Sequence, residues 1–182
     1  MDLWILQNLQ HAAAATASCK PGHCSMDFPA LLDTFARAIE RRDANRLADL
    51  FTDDGVYDDY FFGPSKPGRV GICETVEHFY AGGTNYRWEF FSPLASDRLG
   101  YASYWFSYDS TLPEACGARV VFEGMSRFEL DGDRIMRYSE VFDRGMALAQ
   151  VGFAPERLKK IGLRYAEELK RVPAVRPHLS DR

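Results

Sequence analysis

Two carboxylates stand among aromatic residues in settings that read as strand. Asp59 lies in Phe51-Thr52-Asp53-Asp54-Gly55-Val56-Tyr57-Asp58-Asp59-Tyr60-Phe61-Phe62-Gly63, where a helical pattern gives way to a β-branched and aromatic one. Glu140 lies in Met136-Arg137-Tyr138-Ser139-Glu140-Val141-Phe142, where alternation puts it on one face with Met136, Tyr138 and Phe142. By the same rule Tyr57 and Asp59 share a face while Asp58 points away. Desolvation raises the pKa of such an acid into the range where it can both take up and return a proton. The pair therefore suits proton abstraction and return in a dry pocket. Each acid also has a plainer reading. Asp53, Asp54, Asp58 and Asp59 would merely solvate a helix-to-strand turn, and Glu140 would face outward and pair with Arg119 or Arg127.

The residue opposite Glu140 depends on the hairpin that Asp131-Gly132 closes. A two-residue turn at Asp131-Gly132 sets Glu123 across from it, and two facing carboxylates would share a proton. A three-residue loop through Asp133 sets Gly124 there instead and only widens the pocket. Aromatic rows complete the candidate wall: Tyr86, Trp88 and Phe90 on one strand, and Tyr101, Tyr104 and Trp105 on the next. Flat rings suit a flat apolar or aromatic ligand, although such rows equally serve as core or interface.

The elements that must position these residues follow in order. Leu31, Leu32, Phe35 and Ile39 recur at helical spacing, and Leu47, Leu50 and Phe51 do so again behind Asp43, a residue suited to an N-cap. Val56 to Phe62 reads as a strand that the Gly and Pro residues of 63–68 terminate. A third helix follows, with Ile72, Val76 and Phe79 on its buried side. Period-2 patterns over Tyr86 to Phe91, Tyr101 to Tyr108, Arg119 to Leu130 and Arg134 to Phe142 predict a four-stranded antiparallel meander. After Gly152, Pro155 opens a last helix whose apolar side carries Leu158, Ile161, Leu163, Tyr165 and Leu169. This order predicts an α+β fold: a curved antiparallel sheet packed on N-terminal helices around a cone-shaped cavity, with a C-terminal helix.

With 182 residues, 46% of them apolar and 26% charged, the chain suits one globular domain with a real core. A net charge of -4 argues against a nucleic-acid footprint, and the basic residues between Arg157 and Arg176 read as a solvated helix face. No apolar run approaches the ~20 residues that span a bilayer, so no membrane partner is expected. Residues 1–25 stand apart: Asp2 opens them, and Gln7, Asn8 and Gln10 interrupt their apolar stretch, so a secretory signal is not expected. They are expected to be a disordered or non-native arm before a folded domain over 26–172 and a tail over 173–182. Four scattered cysteines do not make a disulfide framework, which favours a reduced, cytoplasmic setting. Cys19, His23 and Cys24 lack a fourth zinc ligand, and the chain carries no phosphate loop, dinucleotide fingerprint or nucleophile elbow. Neither a metal nor a cofactor is expected.

Across roughly Phe28 to Gly152 the chain resembles the nuclear transport factor 2-like superfamily, and within it the SnoaL-like polyketide cyclases and ketosteroid-isomerase-like proteins. The resemblance rests on Leu50 to Asp59, on Gly68 to Phe79, and on Gly132-Asp133-Arg134-Ile135 leading into Tyr138-Ser139-Glu140-Val141-Phe142-Asp143. It implies that Asp59 occupies the general-base position of the isomerase-like relatives. It likewise implies that Glu140 stands where cyclases and limonene epoxide hydrolases carry a cavity-facing aspartate. A pocket wall of Phe35, Trp88, Trp105, Tyr138 and Phe142 is expected, with a homodimer through the outer sheet face. Departures narrow the chemistry. Phe35 falls where steroid isomerases carry a tyrosine donor, Tyr101 to Tyr108 lacks the Arg and Asp of epoxide hydrolases, and His78 lies beside Glu74 on the polar side of its helix. The expected function is a cofactor-independent acid/base enzyme of the cyclase, isomerase or hydro-lyase type, acting on a small apolar carbonyl compound. Asp59 would abstract the α-proton, Glu140 and Tyr57 would bind the oxyanion or return the proton, and Glu123 would join them if the register allows. The alternative is a non-catalytic small-molecule-binding or dimeric assembly module of the same fold.

Overall fold

The computed structural model describes residues 27–179; the arm expected over 1–25, with its Cys19, His23 and Cys24 cluster, lies outside the described residues. Helix α1 (Phe28–Glu40) starts where Asp27 accepts the Ala30 amide at 3.1 Å, and its stripe of Leu31, Leu32, Phe35 and Ile39 is buried as the spacing predicts. Asp43 caps α2 (Ala44–Ala48) through the Arg46 amide at 2.9 Å. That helix is shorter than expected, because Phe51 already belongs to strand β1 (Phe51–Asp59). The strand in turn stops short of Phe62. Asp59 ends it by accepting the Phe61 and Phe62 amides on Oδ1, both at 2.7 Å, so the chain folds into an Asx-type turn. A two-residue strand, β2 (Gly63–Pro64), returns against β1 before α3 (Arg69–Gly82), which buries Ile72 and Val76.

Four long strands follow: β3 (Gly83–Ala95), β4 (Leu99–Ser110), β5 (Arg119–Asp131) and β6 (Arg134–Phe142). The open six-stranded sheet runs in the order β2-β1-β6-β5-β4-β3, with β1 parallel to β6 and every other neighbour antiparallel. The meander is therefore as expected, and β1 extends it by lying beside the last strand. Its inward face and α1 enclose a core that is unusually aromatic. Phe35, with no exposure, sits at the centre against Tyr57, Trp88, Phe128 and Tyr138.

The final hairpin has neither of the two expected registers. Asp131 pairs with Arg134, which makes Gly132-Asp133 the turn, and the pairing then slips from Leu130 with Ile135 to Glu129 with Arg137. Met136 is the extra residue of a β-bulge, so it faces outward and is 39% exposed rather than sharing the face of Tyr138 and Glu140. The shift brings Ser126, not Glu123 or Gly124, opposite Glu140. After β6, Asp143 caps a helix that the pattern did not foretell, α4 (Arg144–Gln150). Gly152 breaks the chain at φ 83°, and Pro155 opens α5 (Pro155–Lys170). Part of the expected tail is ordered as a 3-10 turn over Pro173–His178. No helix among the described residues is long and apolar enough to cross a membrane.

Candidate active site

The inward sheet face, α3, α4 and α5 surround a cavity of about 750 Å³. Its walls are mostly rings and aliphatic chains, among them Phe61, Phe79, Trp88, Phe106, Phe122 and Phe142, and its carboxylates are Asp59 and Glu140. The same two acids also border a second, polar pocket of about 520 Å³, shared with Asp58, Arg144, Arg164 and Glu168. They thus stand on a partition between an apolar chamber and a polar one.

Glu140 is 9% exposed and sits at the head of a hydroxyl network. Tyr104 from β4 donates to Glu140 Oε2 at 2.7 Å, and Tyr138 donates to the same oxygen at 2.9 Å. The Tyr138 hydroxyl is also 2.9 Å from Ser126 Oγ. Burial, reinforced by the charge of Asp59, pushes the Glu140 carboxyl up to about 8, although both tyrosine hydroxyls favour its anion. Glu140 is thus protonated at neutral pH. Burial likewise raises the Tyr57, Tyr104 and Tyr138 hydroxyls, so these remain O–H donors.

Asp59 is 4% exposed, and burial raises its carboxyl above the usual carboxylate range. The two amides on Oδ1 and the guanidinium of Arg144 oppose that rise. Arg144 is held face-on between two rings, 3.3 Å from the centroid of Tyr60 and 3.5 Å from that of Tyr165, and donates to the Tyr60 carbonyl. Two buried acids share one partition, one with two amides and a guanidinium beside its anion and the other anchored by two tyrosine hydroxyls, an arrangement that suits a base and an acid of the same residue class.

The other expected site residues divide. Trp88 and Phe142 line the cavity. Tyr138 does not line it and serves Glu140 from beneath. Phe35 is core, and Tyr57 is fully buried behind the wall, its hydroxyl without a hydrogen-bond partner among the described residues. Trp105 does not belong to the pocket: its position in β4 points to the outer face, where it is 46% exposed and lies tilted against Phe91 with ring centroids 4.6 Å apart. Glu123, paired in register with Trp105, shares that exposed outer face and cannot meet Glu140. Sequence reasoning missed the Tyr104 bond, Ser126 and Arg144, and it dismissed His78, which lines the cavity mouth 5.9 Å from the Phe62 ring. Strand pairings, invisible in one sequence, place Tyr104 and Ser126, while Arg144 and His78 reach the site from helices whose packing one sequence does not show. Among the described residues no group of three or more His, Cys, Asp or Glu side chains is arranged to hold a metal ion.

Comparison with known proteins agrees with this architecture. A ketosteroid isomerase-like-fold protein from Catenulispora acidiphila, solved with trimethylamine, superposes with a TM-score of 0.62 at 19% identity, covering 70% of this chain and 96% of its own. IdmH, a candidate polyketide cyclase from Streptomyces antibioticus, gives 0.56 at 14% identity over 70% of this chain and 99% of its own. An epoxide hydrolase of the LEH-like type from M. tuberculosis gives 0.54 at 16% identity over 74% and 94%. These identities speak for the fold alone, and no curated protein matches the sequence. The profile of the SnoaL-like domain matches residues 32–138, more than half of the chain, and the chain belongs to that family.

Proposed function

We propose that this protein is a cofactor-independent acid/base enzyme of the cyclase, isomerase or hydro-lyase type, acting on a small apolar carbonyl compound. The observation that carries the reading is the presence of two buried carboxylates on one wall of an otherwise apolar cavity. Asp59, gripped by two amides and facing Arg144, is the base that removes a proton α to the carbonyl. Glu140, neutral at pH 7 and anchored by Tyr104 and Tyr138, donates a hydrogen bond to the developing oxyanion and can deliver the proton. Tyr57 backs this pair from within the core and does not touch the ligand.

One observation favours a rival reading. The Oδ1 atom of Asp59 already satisfies two turn amides, so Asp59 has a sufficient structural reason to be there, and the cavity would then only bind. Deuterium uptake from D2O into a panel of cyclic and aryl ketones, followed by proton NMR, separates the two. Asp59→Asn and Glu140→Gln are each expected to slow exchange by about 100-fold or more while ligand binding changes little. Full exchange in both variants would refute the mechanism. We also propose a homodimer through the outer sheet face, supported by the exposed Trp105, Met125 and Val141. A reducing, cytoplasmic compartment accords with the free thiols Cys73 and Cys116.

A further inference from the structure

The SnoaL-like match covers residues 32–138 and stops inside β6; α4 and α5 follow it in the chain. Helix α5 buries no residue completely, yet it supplies Ile161, Arg164 and Tyr165 to the cavity. A helix with so little buried surface lies at the low-stability end of a fold and opens without unfolding the rest. Its ties to the sheet side are few and specific. The Arg144 guanidinium lies between the Tyr165 ring and the Tyr60 ring, and the Tyr165 hydroxyl donates to the Phe61 carbonyl at 3.1 Å.

Both ties end on the turn that holds Asp59. Arg144 bonds the Tyr60 carbonyl and Tyr165 the Phe61 carbonyl, while the amides of Phe61 and Phe62 grip Asp59 Oδ1. We infer that α5 is a movable wall of the cavity, latched by the sandwich of Arg144 between Tyr60 and Tyr165, and that Ile161 and Tyr165 select which apolar ligands the closed cavity accepts. Arg144 and Tyr165 are positioning residues: closing the wall fixes the turn that aims Asp59. The inference rests on the reading of the cavity as the ligand site, but not on proton chemistry taking place there.

Hydrogen–deuterium exchange on the full chain, with and without 1-anilinonaphthalene-8-sulfonate, an anionic probe with an apolar ring system, tests it. In the free protein α5 amides are expected to exchange at least ~10-fold faster than those of α1, and to slow when the probe saturates the cavity. Arg144→Met and Tyr165→Leu should each speed α5 exchange by a further ~10-fold while α1 and β5 stay unchanged, which also establishes that the variants are folded. Ile161→Trp should weaken probe binding about 10-fold by filling the wall position. Protection of α5 equal to that of α1, or α5 exchange indifferent to the latch substitutions or to bound probe, overturns the movable wall. Loss of the proposed proton chemistry would appear differently, as ketone exchange that survives Asp59→Asn and Glu140→Gln with the α5 response intact.

Discussion

Tyr104 reaches Glu140 from two strands away because the residue between them has no side chain. Gly124 is the register partner of both Tyr104 and Phe142, and a Cβ there would lie 2.5 Å from Tyr104 Cζ and 2.7 Å from the Val141 carbonyl oxygen. Gly124→Ala should therefore push Tyr104 off Glu140. The expected result is a loss of about 1–3 kcal/mol in denaturant unfolding, as for other overpacked cores, and a Glu140 pKa still higher than in the wild type, read by carbon NMR. Glu140 also sets a pH dependence. Its carboxyl ordinarily titrates at 4.5 but titrates here at about 8, so between those values the unfolded chain is ionised while the folded protein keeps its proton. The unfolded state then binds fewer protons, and stability falls as pH rises through that window by up to about 1.4 kcal/mol per pH unit. Denaturant midpoints measured across the window should show this slope, and Glu140→Gln should keep only the part due to Asp59, whose pKa is raised as well. A flat wild-type profile would contradict a neutral Glu140.

Helix α1 is joined to the sheet through Phe35, whose ring stacks on Tyr57 at 5.8 Å and meets Tyr138 at 4.8 Å. Phe35→Ala would leave a void directly beneath the Glu140 network. A cost of about 3–5 kcal/mol is expected in urea unfolding, with the Tyr138 hydroxyl losing its fixed position. The stripe that buries Phe35 was readable in the sequence because helical spacing is a local property, and so were the Asp43 cap, the Gly152 break and the Pro155 start. The inward phase of Asp59 and Glu140 was readable for the same reason. Pairing between strands was not. The bulge at Met136 depends on how β6 lies against both β5 and β1, and nothing in the alternation of 134–142 marks an extra residue. The turn at Gly132-Asp133 moves the partner of Glu140 from Glu123 to Met125, and the extra residue moves it once more, to Ser126. Arg144 was invisible for a related reason: its two ring partners are separated from it by 84 positions on one side and 21 on the other.

On the scale of the whole molecule, the sheet has one face filled by α1 and the cavity and another that exposes Trp105, Met125 and Val141 at 46%, 48% and 56%. An apolar surface of this kind marks an interaction site, and the proposed homodimer would cover it with a second copy. Analytical ultracentrifugation should find a dimer, and Trp105→Glu should yield a folded monomer; a wild-type monomer at micromolar concentration would exclude the pairing. The partition between the two pockets has a consequence of its own. Both acids line the apolar cavity and also the polar pocket, whose lining includes the exposed Arg164 and Glu168. On the proposed acid/base reading, protons would exchange with bulk solvent through a back door while the ligand still occupies the front room, resetting the acid/base state before product leaves.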